Sequence, residues 1–175
     1  MKQVIGMIVV LSSMLFSVAH ASEKSALNEE QTFSIYLVRH AEKIKDVKDP
    51  TLTQCGQFRA KQLASILEKA NIKTIYSTRY KRTTATASPL AQQQNLAIKN
   101  YAPNKLEQLS LQLVKAKENT VVFGHSNTTP QMAELLSQVP VNAISESQYR
   151  ALYQVVISGK NRHLTLLTQP LICKE

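Results

Sequence analysis

The stretch that decides the fold is Phe33 to Lys43, FSIYLVRHAEK. Its apolar run from Ile35 to Val38 has the branched and aromatic content of a buried strand. The run stops at Arg39-His40, so a guanidinium and an imidazole stand at the strand's carboxyl end, the edge where open α/β sheets bind ligands. Two further stretches repeat the arrangement. Tyr76 to Ala87, YSTRYKRTTATA, brings Arg82 just after a second strand, and Val121 to Asn127, VVFGHSN, brings His125 to the end of another. Each strand ends near a group able to hold a phosphate.

From these residues the sequence resembles the histidine phosphatase superfamily, also called phosphoglycerate mutase-like, in its first branch. The Arg39-His40 pair matches that family's hallmark at the end of the first strand. LTxxGxxRA from Leu52 to Ala60, the run from Ser77 through Arg82 to Thr86-Ala87, and GHS at Gly124 to Ser126 follow in order. The resemblance extends from about Phe33 to about Val139 and implies a phosphoglycerate mutase-like fold. Asp or Glu directly follows the second His in the other branch, the acid phosphatases and phytases, whereas Ser126 stands here.

Reading outward from the first strand, Thr53 is an N-cap for a helix whose Ala60, Leu63, Ala64 and Leu67 recur at i, i+3, i+4 and i+7. Ile72 to Tyr76 is the second strand. A helix then runs from the Arg82 segment to about Gln94, with Pro89 arguing for a kink or an early stop. Leu96 to Tyr101 is a short strand, and Asn104 to Lys117 a helix with Leu106, Leu109 and Leu113 on one side. After the strand Thr120 to Phe123, a helix with Pro130 in its first turn presents Met132, Leu135, Leu136 and Val139. Ala151 to Ile157 and His163 to Leu167, separated by Ser158-Gly159-Lys160-Asn161, form a hairpin. Alternating strands and helices predict a three-layer α/β/α sandwich with a mostly parallel central sheet, in one domain over 32–175.

His40 is the candidate nucleophile: a neutral imidazole nitrogen can displace an alcohol from a phosphate ester, giving a phosphohistidine that water hydrolyses. Arg39 and Arg82 are assigned to the phosphoryl oxygens, because a planar guanidinium holds two oxygens and stays charged. His125 completes the catalytic set by donating to the transferring group, with Ser126 and the following helix N-terminus as further phosphate-binding donors. Gly124 is read as allowing the backbone close to the phosphate, Gly56 as a packing requirement, and Ser77-Thr78 as either contacting the pocket or capping the helix, with the cap preferred. The general acid has no motif. Mutase-like relatives carry a Glu in an insertion without clear counterpart here, so Glu107, in the corresponding interval, is the first choice and Glu42 the second. No cluster of His, Cys and carboxylate has ligand spacing and no Gly-rich phosphate loop appears, so no metal and no cofactor are expected.

Lys2 precedes an uncharged run from Val4 to Val18, too short for a membrane span and ending at Ala19-His20-Ala21, a small-x-small pattern. Residues 1–21 are therefore read as a signal peptide and 22–31 as a flexible leader, giving an exported protein, periplasmic or secreted, without stable membrane insertion. In an oxidising compartment Cys55 and Cys173 either pair, tying the C-terminal tail to the first helix, or remain two thiols. The formal charge of +9 favours anionic partners. Its dispersal, with no Trp, argues against nucleic acid. The sequence thus predicts a phosphohydrolase acting on a small phosphorylated substrate, an envelope sugar phosphate being the first candidate. A protein phosphohistidine phosphatase and a non-catalytic phosphate-binding envelope protein are the alternatives.

Overall fold

The computed structural model describes residues 30–173; the segment read as a signal peptide and most of that read as a leader lie outside them. FSIYLVR forms β1 (Thr32–Arg39), which occupies the interior of a six-stranded sheet. With β2 (Thr74–Ser77), β3 (Ile98–Asn100), β4 (Thr120–Gly124), β5 (Ala151–Ser158) and β6 (Asn161–Thr168), the spatial order is β3-β2-β4-β1-β5-β6. β1 pairs with β4, β4 with β2, and β2 with β3 in parallel; β5 and β6 add antiparallel to the free side of β1.

Alternation along the strands makes two cores. Ile35 and Leu37 of β1 and Val122 of β4 face one side, where α3 (Leu106–Ala116) and α4 (Thr128–Ser137) contribute Leu109, Leu113, Met132 and Leu136. Val38, Val121 and Phe123 face the other, against Leu63, Ala64 and Leu67 of α1 (Gln54–Ile66) and its C-cap, and Ala87, Leu90 and Ala91 of α2 (Lys81–Gln94). Helices on both faces of a largely parallel sheet are the three-layer arrangement the pattern predicts. Thr53 caps α1, its hydroxyl accepting from the Gly56 amide at 3.1 Å.

Local departures have physical reasons. Pro89 does not stop α2, which runs on to Gln94. The Thr86 and Ser88 hydroxyls bond back to the Arg82 and Thr84 carbonyls within the same helix. On α4, Leu135 is exposed and so is Val139 beyond its end, because the helix closes at Gln138 in a left-handed conformation and, of the four, Met132 and Leu136 reach the core. The hairpin turn is Gly159-Lys160, with Gly159 at φ 55°, a conformation that suits glycine.

Cys55 of α1 and Cys173 are joined in a disulfide, with Cα atoms 5.9 Å apart. Beside it Arg59, 3% exposed, grips the Glu42 carboxylate through Nε, at 3.0 and 2.9 Å to its two oxygens, and donates to the Leu171 carbonyl at 3.1 Å. The sulfurs and Glu42 lie within 4.8 Å of one another, but disulfide sulfurs are not thiolates and Glu42 is engaged by Arg59.

Candidate active site

β1 and β4 are neighbours whose following helices depart to opposite faces of the sheet, α1 to one and α4 to the other. Such a divergence opens a crevice beyond the strands' carboxyl ends. His40 and His125 are the first residues past those ends. Arg39 is level with Gly124 in the ladder, and the His40 amide donates to the Gly124 carbonyl at 2.9 Å. The two rings therefore stand 5.6 Å apart between centroids. Both line a cavity of about 540 Å³, shared with Lys43, Tyr80, Arg82 and Glu146 and with Ser126 to Thr128 at the start of α4.

His40 is neutral and oriented. Its Nδ1 lies 2.8 Å from the Ala41 carbonyl, which can only accept, so Nδ1 carries the proton and Nε2 the lone pair. Burial, then the charges of Arg39 and Arg82, lower its pKa from 6.5 to about 3, the Ala41 bond acting against them. His125 is also neutral, its pKa lowered to about 4 by burial and then by Arg82 and Arg39. Its Nε2 meets Thr78 Oγ1 at 3.0 Å, and that hydroxyl donates onward to Thr83 at 2.9 Å, so His125 Nε2 donates. Nδ1 is left as an acceptor for Arg82, 3.4 Å away. His125 thus spends its N–H on Thr78 and its lone pair on Arg82, rather than aiming a donor at the cavity. Thr78 supports His125 and is not a helix cap.

Arg82 enters the cavity from the first turn of α2. Its guanidinium stacks on Tyr80 at 4.5 Å and approaches Asp49 only to 3.9 Å, while its buried Nε finds no acceptor among the described residues. Asp49 Oδ1 instead receives the Lys81 amide at 3.0 Å, supplying the cap that Tyr80 does not. Gly124 keeps its place for a packing reason: an added Cβ would sit 2.7 Å from the Thr128 hydroxyl, which accepts the His125 amide at 2.9 Å.

A model described as the histidine phosphatase superfamily (branch 1) matches residues 35–103. The sequence match is confined to that stretch, and the likeness to solved structures is one of fold. Among solved structures, the mycobacterial glucosyl-3-phosphoglycerate phosphatase shares 13% identity, 79% of this chain and 98% of its own, with a TM-score of 0.61. The protein histidine phosphatase SixA, complexed with tungstate, shares 15%, covering 78% and 97%, at 0.64. The alpha-ribazole phosphatase from Shigella flexneri shares 13%, covering 81% and 99%, at 0.66. A comparison with curated proteins finds no match in sequence.

Within the superfamily pattern, three sequence assignments shift. Arg39, 1% exposed, does not line the cavity: Nη1 donates to the carbonyls of Ser145, Glu146 and Gln148 at 3.0, 2.9 and 3.0 Å, and Nη2 to the Glu146 carboxylate at 2.7 Å. Its plane covers Tyr149 at 4.2 Å. Glu107 lines an adjoining cavity of about 830 Å³ with Asn104, Gln108, Gln131 and Glu134, not the one that holds His40. Glu42 is committed to Arg59. The carboxylate that does line the His40 cavity is Glu146, whose other oxygen accepts from the Ser126 hydroxyl. Lys43 and Glu146 were missed because each sits in irregular chain, where no periodicity marks a side chain's direction.

Proposed function

We propose that the chain is a phosphatase that cleaves phosphomonoesters through a phosphohistidine on His40. The observation that carries this is a neutral imidazole whose Nδ1 is pinned to a carbonyl, sharing a cavity with the Arg82 guanidinium, whose Nε finds no acceptor among the described residues. Nε2 has the lone pair an in-line attack on phosphorus needs, and burial keeps it unprotonated at neutral pH. Arg82, Lys43, Ser126 and the α4 N-terminus surround the cavity with positive charge and donors suited to phosphoryl oxygens. No step in this scheme requires a metal, since arginine and backbone donors neutralise the charge that develops. The fold neighbours include phosphatases, one of them complexed with tungstate, itself an oxyanion.

For the substrate we favour a small phosphorylated sugar of the envelope. The His40 cavity and the larger adjoining one share Pro103, Asn104 and Gln131, so a phosphoryl group held at His40 leaves its alcohol portion beside the amides of Asn104, Gln108 and Gln131. Such groups suit hydroxyls. The carboxylates of Glu107 and Glu134 there outnumber its one cation, Lys105, and disfavour a second negative charge. Export, read from residues 1–21, is supported by the Cys55–Cys173 disulfide, since such bonds persist in oxidising compartments.

The test is turnover of nitrophenyl phosphate, sugar phosphates and a phosphohistidine peptide, with acid-labile radiolabel trapping. Label on the wild type and none on His40→Ala supports the reading. Equal turnover by the two sinks the nucleophile assignment, and phosphate binding without turnover identifies a binding protein. A preference for the peptide over every sugar phosphate would favour the phosphoprotein alternative.

A further inference from the structure

Glu146 has a place in the site that none of the sequence motifs accounts for. Of the described residues lining the His40 cavity it alone is a carboxylate. It lies on the irregular segment between α4 and β5, yet both its oxygens are held: Oε2 by Arg39 at 2.7 Å and Oε1 by the Ser126 hydroxyl. Arg39 does more than pair with it. Nη1 fastens the carbonyls of Ser145, Glu146 and Gln148, so one buried guanidinium sets the path of the segment and the position of the carboxylate it carries.

We propose that Glu146 is the proton carrier of this site, donating to the departing alcohol and later accepting from the attacking water. The proposal rests on the reading of His40 as nucleophile. In the resting site Glu146 faces Arg39 from β1, His40 and Lys43 just beyond it, and Ser126 after β4, with Arg82 and His125 across the cavity. The Ser126 bond first, then the charges of Arg39 and Lys43, hold it below the ordinary carboxylate range, against its partial desolvation. A phosphoryl dianion entering that cavity brings like charge against the carboxylate. Two anions so placed relieve their repulsion by sharing a proton, so binding converts Glu146 to the acid form as an acid becomes necessary.

The steps balance. Nε2 of His40 bonds to phosphorus as the ester P–O bond breaks, and the Glu146 proton passes to the leaving oxygen. Water then bonds to phosphorus as the N–P bond breaks, and its proton returns to the Glu146 carboxylate. The net change is ester plus water to alcohol plus phosphate. Arg39 is a positioning residue in this scheme, acting through Glu146.

The leaving group supplies the test. An alkoxide needs a proton to depart and a nitrophenolate does not. Glu146→Gln, measured on the mature chain, is expected to lose about 100-fold or more in kcat/KM with glycerol phosphate and less than about 10-fold with nitrophenyl phosphate. Equal losses on both esters, or none on glycerol phosphate, overturn the assignment. Ser126→Ala provides a second measurement should the glutamine variant fold poorly. Losing the hydroxyl that favours the anion should move the basic limb of the glycerol phosphate profile to higher pH, and an unmoved limb overturns the assignment too. Wild type that never labels His40 overturns the phosphatase reading and this one with it, whereas labelling with equal losses sinks only the role of Glu146.

Discussion

Two buried arginines, Arg59 and Arg39, each hold a glutamate, but they hold it differently. Arg59 meets Glu42 through both Nε and Nη2, the carboxylate is 14% exposed, and the Cys55–Cys173 disulfide lies against the pair. Arg39 meets Glu146 through Nη2 alone, that carboxylate is 77% exposed, and its other oxygen rests on a serine at the mouth of the cavity. The first pair is closed and locks the turn after β1 to α1. The second is open on one side, so its glutamate can exchange partners when an anion arrives. A buried ion pair is structural when neither member can leave, and becomes available for chemistry when one of them borders solvent.

The sharpest way to break this comparison is to remove each glutamate in turn. Glu42→Ala strands a charged guanidinium in the interior and is expected to cost about 3 to 5 kcal/mol in chemical denaturation. A loss below about 1 kcal/mol would show that the closed pair is no lock. The disulfide is the next largest effect. Cys55→Ser opens a loop closed across a sequence separation of 118 and is expected to lower stability by about 2 to 4 kcal/mol, leaving phosphate affinity nearly unchanged.

Acid titration distinguishes the open side. His40 and His125 stay neutral in the fold down to about 3 and about 4, whereas in the unfolded chain they protonate near 6.5. Below 6.5 the unfolded state therefore binds more protons. Their contribution is complete above that pH and is lost as pH falls towards 4 and then 3. Wild type should lose stability through this window more steeply than a His40→Gln, His125→Gln double variant. Parallel curves would contradict the burial argument. The smallest effect is on stability at neutral pH: Glu146→Gln should change it by less than about 1 kcal/mol, because its partner bond is solvent-screened.

Much of this was legible because strands and their ends leave a pattern. Ile35 to Val38 and Thr120 to Phe123 are apolar runs ending in charged or imidazole side chains, so β1, β4, His40 and His125 could be placed from the chain alone. The α1 stripe and its Thr53 cap were equally plain. What escaped was direction. Arg39 and His40 are adjacent, and adjacent residues at a strand end point to opposite faces, so one motif could not send both into one cavity. The pairing of Cys55 with Cys173 stayed open because separation along the chain says nothing of Cα distance. Glu107 had a suitable place in the order of motifs, but the short β3–α3 connection sets it over a neighbouring cavity. Glu146 lies 21 positions beyond His125 in a segment without hydrophobic period, and only its tertiary bond to Arg39 marks it.

The hydrogen bond donated by the His40 amide to the Gly124 carbonyl has a consequence for how such a site can change over time. It makes the spacing of the two imidazoles a property of strand registry. A parallel ladder that keeps its faces shifts only by two residues, a jump of about 6.6 Å, so small mutational steps cannot retune that distance. Variation is channelled to the segments around the mouth, at 43–50, 101–105 and 139–150, none of which contributes to the ladder. New substrates can be sampled there while the innermost geometry is inherited unchanged.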